Sequence, residues 1–472
     1  NATSTSESFS VPQVTTSTCT YAPSPSSGSI AAGSTQTISF SCLTVTFTES
    51  GLPSGTSWSV TYNGVTKSST SSSITFNATS TSESFSVPQV TTSTCTYAPS
   101  PSSGSIAAGS TQTISFSCIP TVFVINITNT QNVATPNPFQ QMINVSSSSP
   151  IWPYINTNQT SAFGQNAEFI YPNGTVIPSW LESYSSNNAI WWIKIGSIPA
   201  NSKLTIYAKI APKSTNLFNG VTVGEAPQLS PTYGEYDNGA NVFYIYANFQ
   251  GNSMPSGWTA KAIVGSYTPT FIGGTSSTGG IEMMNDVGGQ ATALKYNNPF
   301  TTQNIIIEAS WMYSGTADNL GFGIYAKGIS YHSGGFNPAS IDGYYASYEY
   351  WRGPASPPGL VYASSNGSSV TFYAQASSHV IPTSGTNYMF TQVIITPNSA
   401  IMNFVTNTNS LYQTPVYSGL SNVVKYYGTP VNPGNIFYIG ASTGGAYSYI
   451  YLYWLRVRAY PPNGVMPSVS IG

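Results

Sequence analysis

Forty-two residues, Asn1–Cys42 (NATSTSESFSVPQVTTSTCTYAPSPSSGSIAAGSTQTISFSC), recur letter for letter as Asn77–Cys118, a period of 76 residues. Self-similarity at a fixed period marks a repeat architecture, in which each unit buries its apolar face against strands of its own or of a neighbour. Two identical stretches have identical strand and turn preferences. Any difference between them in the folded chain must come from what surrounds them.

The 472 residues are enough for about three domains. Hydrophobic residues make up 40% and aromatics 13%, so a packed core is within reach and disorder is disfavoured. Charged residues are only 6%, with fourteen carboxylates, twelve Lys or Arg and two histidines, His332 and His379. This excludes a basic nucleic-acid patch and a polybasic membrane anchor. No run of about 20 apolar residues encodes a spanning helix. The absence of an initiator Met and of a signal peptide suggests a mature, processed chain or a fragment. Scarce carboxylates leave little to protonate at low pH. That fits a hot acidic medium, and it fits equally a surface on which neutral polar groups replace charge.

Four cysteines allow three pairings. The repeat favours Cys19–Cys42 and Cys95–Cys118, since identical halves should fold identically. Each closed loop contributes about 3 kcal/mol in the chain-entropy model. The spacing is not that of a zinc site, and disulfides point to an oxidising, extracytoplasmic location. Seven N-x-S/T sequons, at Asn1, Asn77, Asn126, Asn144, Asn158, Asn173 and Asn366, point the same way and are candidate glycosylation sites.

Leu43, Val45 and Phe47 alternate with threonines, as in a half-buried strand. A loop at 51–55 leads to a second alternating run, Trp58, Val60 and Tyr62. Asn63-Gly64 is a two-residue hairpin turn. Ile74 with Phe76, Phe85 with Val87, a Pro/Ser loop at 98–104, and Ile114 with Phe116 and Cys118 follow. Six or seven strands in so short a span predict an immunoglobulin-like sandwich.

The stretch VTFTESGLPSGTSWSVTYNG, with Tyr97-Ala98-Pro99-Ser100-Pro101-Ser102-Ser103-Gly104 after it, resembles repeats of archaeal surface proteins, including those of thermoacidophiles. In those arrays the TFTESGLPSGTSW stretch opens a unit, so the resemblance implies a complete unit at 43–118. Residues 1–42 are then half a unit without its first half.

Residues 119–233 read as a second β domain. AEFIYPNGTVIPSWLES and WWIKIGSIPANSKLTIYAKI look like a domain of unknown function found in archaeal and bacterial surface proteins. In that family it commonly precedes a lectin-like jelly roll. Ala189–Ile195 is almost continuously apolar and reads as a strand buried on both faces. Residues 234–462 resemble concanavalin-like jelly rolls, the fold of legume lectins and laminin G modules, by strand pattern and domain order. Tyr449–Leu455 reads as a central strand. Residues 463–472 form a tail with a short strand at Val469–Ile471. The fold class is therefore all-β throughout.

Such folds include glycan hydrolases, which need paired carboxylates. Neither E-x-D-x-E nor E-x-D-x-x-E occurs. Glu282 with Asp286, Glu308 and Glu349 are the nearest candidates, and each reads better as a lone or ion-paired carboxylate. Gly440-Ala441-Ser442-Thr443-Gly444 matches G-x-S-x-G but precedes a strand, where the nucleophile motif needs a helix. Asp237, Asn238 and Asn241 suggest a turn before a calcium site. Tyr345, Tyr348, Tyr350 and Trp351, in a dense aromatic patch, are candidates for glycan or partner contact, with core packing the plainer reading. No catalytic residue, metal or cofactor is expected.

Two readings follow. In the first the chain is a non-catalytic subunit of an extracellular, pilus-like archaeal filament, partnered head to tail by copies of itself, with residues 1–42 as a donor or swapped segment that pairs by strand addition with another chain's residues 43–76 or with a related open sandwich. In the second it is a cell-surface adhesin with a repeat stalk and a lectin-like head for glycans on other cells. A secreted glycan-acting enzyme is a distant third for want of a motif. All three place the chain outside the cell, without nucleic acid and without a membrane span.

Overall fold

The computed structural model describes residues 5–92, 95–158, 163–264, 268–271, 279–285, 291–298, 304–315, 319–326, 328–329, 341–347, 359–363, 370–375, 388–407, 421–427, 436–442 and 448–472. The chain is all-β and divides into two compact units, Asn1–Val122 and Phe123–Gly472. Among the described residues the longest helical segment is Gly239–Val242, and no helix is long and apolar enough to cross a membrane.

In the first unit, residues 1–42 form strands β1 (Ser6–Ser10), β2 (Val14–Thr15), β3 (Thr20–Ser24), β4 (Ser27–Ala31) and β5 (Ser39–Cys42). Residues 43–76 add β6 (Thr44–Ser50), β7 (Trp58–Tyr62), β8 (Val65–Ser69) and β9 (Ser73–Asn77). The second copy supplies β10 (Ser82–Ser86), β11 (Val90–Thr91), β12 (Cys95–Ser100), β13 (Ser103–Ala107) and β14 (Thr111–Pro120). The complete unit is a sandwich of two sheets, β13-β10-β7-β8 and β11-β12-β14-β6-β9. Val45, Phe47, Trp58, Val60, Tyr62, Phe85, Ile114 and Phe116 are all buried in its core. The alternation read from the sequence is what directs them inward. Asn63 and Gly64 both take positive φ, at 45° and 76°, as a primed hairpin turn requires. The expected Pro/Ser loop at 98–104 is shorter than it reads. Strands β12 and β13 run to Ser100 and from Ser103, because Pro99 and Ser100 stay in register with Phe116 and Ser115 of β14.

The second unit begins with β15 (Val122–Asn129), β16 (Phe139–Ser146), β17 (Ala167–Ile170), β18 (Ser179–Tyr184), β19 (Asn188–Ile195), β20 (Ser202–Ile210) and β21 (Val223–Glu225). Sheets β17-β20-β15 and β16-β19-β18-β21 enclose a core of Phe139, Ile143, Phe169, Leu181, Trp191, Ile193 and Ile206. The 463–472 tail closes this sandwich. Strand Ser468–Ile471 pairs antiparallel with β15, Ile125 against Ile471. Trp191 faces the core while Trp192 lies in a second cluster with Trp180, Val242 and Phe243. The apolar run at 189–195 is thus covered on both faces. Residues 245–459 form three further sheets. Strand Ser448–Ala459 is central to the largest, between Ile305–Gly315 on one side and Ile281–Asn285 with Ile245–Ala247 on the other.

Candidate assembly site

The two 42-residue copies have the same internal register. Phe9 pairs with Gly28 as Phe85 pairs with Gly104, Val14 with Tyr21 as Val90 with Tyr97, and Tyr21 with Cys42 as Tyr97 with Cys118. Cys19 is bonded to Cys42 and Cys95 to Cys118. In each copy the glycine of the Phe–Gly pair lets the phenyl ring lie across it, since an added Cβ would stand 3.0 Å from the ring. All of this is local and follows from the shared sequence.

What differs is the covering. In the second copy β6 lies parallel to β14, Thr111 against Thr46, and β7 lies antiparallel to β10, Phe85 against Tyr62. Phe47 stands 5.1 Å from Phe85 and Trp58 stands 6.1 Å from Phe116, ring centre to ring centre. Gly51, at φ 98°, lets the chain pass so close to the Phe116 carbonyl that a Cβ would meet it at 2.2 Å. Among the described residues the first copy has no strand at either position. Its β5 starts at Ser39, whereas β14 starts at Thr111, the counterpart of Thr35. Residues 35–38 are irregular because a strand edge forms where a partner takes its hydrogen bonds.

Burial records the same difference. Phe85, Val87, Ile106, Ile114 and Phe116 are all buried, at 6% exposure or less. Their counterparts Phe9, Val11, Ile30 and Ile38 are only half-buried, and Phe40 is 46% exposed. One end of the first copy is anchored. The Thr20 amide donates to the Ala78 carbonyl at 2.6 Å, the Leu43 amide to Thr20 at 2.9 Å and the Ala78 amide to Leu43 at 2.9 Å. Cys19 and Thr20 are buried there, at 2% and 0%. The first copy therefore presents an apolar face and unpaired strand edges on a fixed base.

The second unit holds a buried ion cluster. Arg456 reaches Glu182 through Nη1 at 2.5 Å and Glu308 through Nε at 2.7 Å. Arg458 Nη2 lies 2.8 Å from Glu308, and Gln392 donates to the same carboxylate at 2.9 Å. Trp180, Trp192, Phe243 and Trp454 surround the Arg456 guanidinium, their ring centres 4.8 to 5.7 Å away. Burial alone would raise Glu308. The two guanidiniums and the hydrogen bonds from Arg458 and Gln392 reverse that and hold its carboxyl at about 2. Burial raises Glu182, which Arg456 only partly offsets. Glu308 is thus an ion-paired structural carboxylate, as one of its two sequence readings had it.

Asp237 accepts hydrogen bonds from Trp180 Nε1 at 2.8 Å, Tyr246 at 2.9 Å, Asn248 at 2.5 Å and the Gly239 amide at 3.0 Å. Burial still pushes it up to about 6. Glu225 is pushed up to about 7, by burial and then by the charges of Asp237 and Glu235, against a hydrogen bond from Ser230. The four donors on Asp237, with Asn238 donating to the Ser179 and Val221 carbonyls, make this a turn-fixing cluster. Among the described residues no group of His, Cys, Asp and Glu could hold a metal ion.

The sequons differ in setting. Asn77, Asn144, Asn158 and Asn173 are exposed. The amide of Asn188 donates to Asn144 across the β16–β19 pair. Asn126 is half-buried in β15 and accepts a hydrogen bond from Thr205 at 2.8 Å. Asn1 and Asn366 lie outside the described residues, as do Tyr348, Tyr350, Trp351, Asp286, Glu349, His332 and His379. Tyr345 is described only as backbone in strand Ile341–Ser347. Sequence reasoning found the open half-repeat but missed the ion cluster. Its members are far apart in the chain, and only the alternation of Arg456 and Arg458 inside an apolar strand hints at it.

No family model matches the chain. Over an alignment of 389 positions that covers 75% of this chain, it is 30% identical to uncharacterized protein 562 of Sulfolobus islandicus rod-shaped virus 1. It spans 60% of that relative's length. Among solved structures it is similar to the Ca2+/Man3GlcNAc-bound exoplasmic/lumenal domain of VIP36, with 14% identity and a TM-score of 0.30 over 45% of this chain and 94% of that one. A Bacteroides ovatus mixed-linkage glucan GH16 protein in complex with its G4G4G3G product is similar at 12% identity and a TM-score of 0.28, over 45% and 99%. A Bauhinia forficata lectin in complex with GalNAc is similar at 11% identity and a TM-score of 0.29, over 46% and 98%.

Proposed function

We propose that the chain is a non-catalytic structural subunit of an extracellular filament or surface appendage, assembled when strands of a neighbouring copy complete residues 1–42. One observation carries this reading. The same 42 residues are covered at 77–118 and open at 1–42. Strand addition supplies affinity through backbone hydrogen bonds, and alternate side chains give it register. A heterologous contact of this kind propagates into a filament when its rotation does not close a ring. The edge lacks the lysines that usually block such pairing.

The two disulfides suit an oxidising, external setting.

Negative-stain imaging of the purified protein tests the reading, with filaments expected and monodisperse particles overturning it. Phe40→Asp should abolish the filaments while leaving the monomer folded. The rival reading, a surface adhesin with a glycan-binding head, predicts monodisperse particles that bind on a glycan array.

A further inference from the structure

Beside the Asn63-Gly64 hairpin of the complete repeat lies a pocket of about 260 Å3, lined by Tyr62, Asn63, Lys67, Phe76, Asn77 and Thr79. It is just below the roughly 300–1,000 Å3 of ordinary ligand sites, so it suits a small group and not a polymer. Tyr62 is buried, at 2% exposure, and packs in the core of the sandwich. Lys67 Nζ lies 4.7 Å from the centre of the Phe76 ring and donates to the Thr75 carbonyl at 2.7 Å, which leaves it further protons to donate. The wall is therefore part aromatic and part hydrogen-bonding, the combination that a sugar ring matches.

The sequon Asn77-Ala78-Thr79 stands on the rim. Asn77 is exposed, at the end of β9. Ala78 is fully buried, with its amide bonded to Leu43 and its carbonyl to Thr20. Thr79 is held by Asn63, whose amide donates to Oγ1 at 3.0 Å. The backbone that would carry a glycan is therefore fixed beside the cavity.

We propose that Asn77 is N-glycosylated and that the first sugar of its glycan rests in this pocket, a ring hydroxyl accepting a hydrogen bond from Lys67 Nζ beside the Phe76 ring. The donor is an oligosaccharide activated as a lipid phosphate ester. The Asn77 carboxamide nitrogen bonds to the anomeric carbon, the anomeric C–O bond to phosphate breaks, and the amide proton passes to the transferase's base. This assignment does not depend on whether the chain polymerises.

Cleavage after glutamate tests the attachment. It releases residues 50–83, which contain Asn77 as their only sequon, apart from the peptide ending at Glu7 that contains Asn1. In protein from a glycosylating host, peptide 50–83 should carry a hexose-bearing mass, and an unmodified peptide overturns the proposal. Thermal unfolding tests the seat. Asn77→Gln should lower the midpoint of the first unit by roughly 4 °C, and by less than half as much in a Lys67→Met background, which keeps a long side chain and removes its donors. Lys67→Ala is the second background should Lys67→Met unfold. Equal drops in the parent and the variant background overturn the seat.

Discussion

Phe40 and Phe116 occupy the same place in two identical 42-residue stretches, yet Phe40 is 46% exposed and Phe116 6%. Trp58, with its ring centre 6.1 Å from that of Phe116, and the close pass of Gly51 account for the difference.

Truncating the two rings should therefore have unequal effects. Phe116→Ala leaves a cavity and should cost about 3–5 kcal/mol. Phe40→Ala should stay within about 0.5 kcal/mol in the dispersed protein. Thermal or denaturant unfolding of each variant decides it, and equal losses would mean that Phe40 is covered in the same chain.

Reduction should weaken the first unit. The Cys95–Cys118 bond closes a loop inside the complete sandwich, and its loss should cost roughly 3 kcal/mol. Comparing Cys118→Ser with Cys42→Ser by calorimetry separates the two bonds. A melting profile indifferent to reductant would contradict this account.

Stability should peak near pH 4. Asp237 and Glu225 bind protons more tightly folded than unfolded. Their stabilisation is complete below the ordinary carboxylate range, about 4, and is lost as the pH rises through about 6 and about 7. Glu182 acts in the same direction. Glu308 has the opposite sign, and its stabilisation is present above about 4 and lost as the pH falls through about 2. Melting temperatures between pH 2 and pH 8 should fall on both sides of the maximum, and Asp237→Asn should flatten the alkaline limb. A steady rise from acid to neutral would refute the assignment.

Removing one member of the ion cluster should be worse than removing all of it. Arg456→Met leaves Glu182 and Glu308 buried beside an apolar side chain and should cost about 3–5 kcal/mol. The combined variant Glu182→Met, Glu308→Met, Arg456→Met and Arg458→Met should recover much of that loss, as read by urea midpoints.

Deleting residues 466–472 should expose the β15 edge together with Ile125 and Ile127, and lower the unfolding midpoint of the second unit. A truncated chain with an unchanged midpoint would show that the last strand is ornamental.

The all-β class, the alternating core of 43–118, the Asn63-Gly64 hairpin and the disulfide pairing were legible in the sequence. Each depends on a period or a turn that a few neighbouring residues specify. So was the candidacy of 1–42 as an open half, because an exact repeat acts as its own control. The partner of the last strand was not legible, since nothing in SVSI names β15 across more than three hundred residues. Nor was the meeting of Glu182, Glu308 and Arg456. Local periodicity decides which way a side chain points from its strand. Which distant side chains it then meets depends on how the sheets stack, and that is set only when the whole core is assembled.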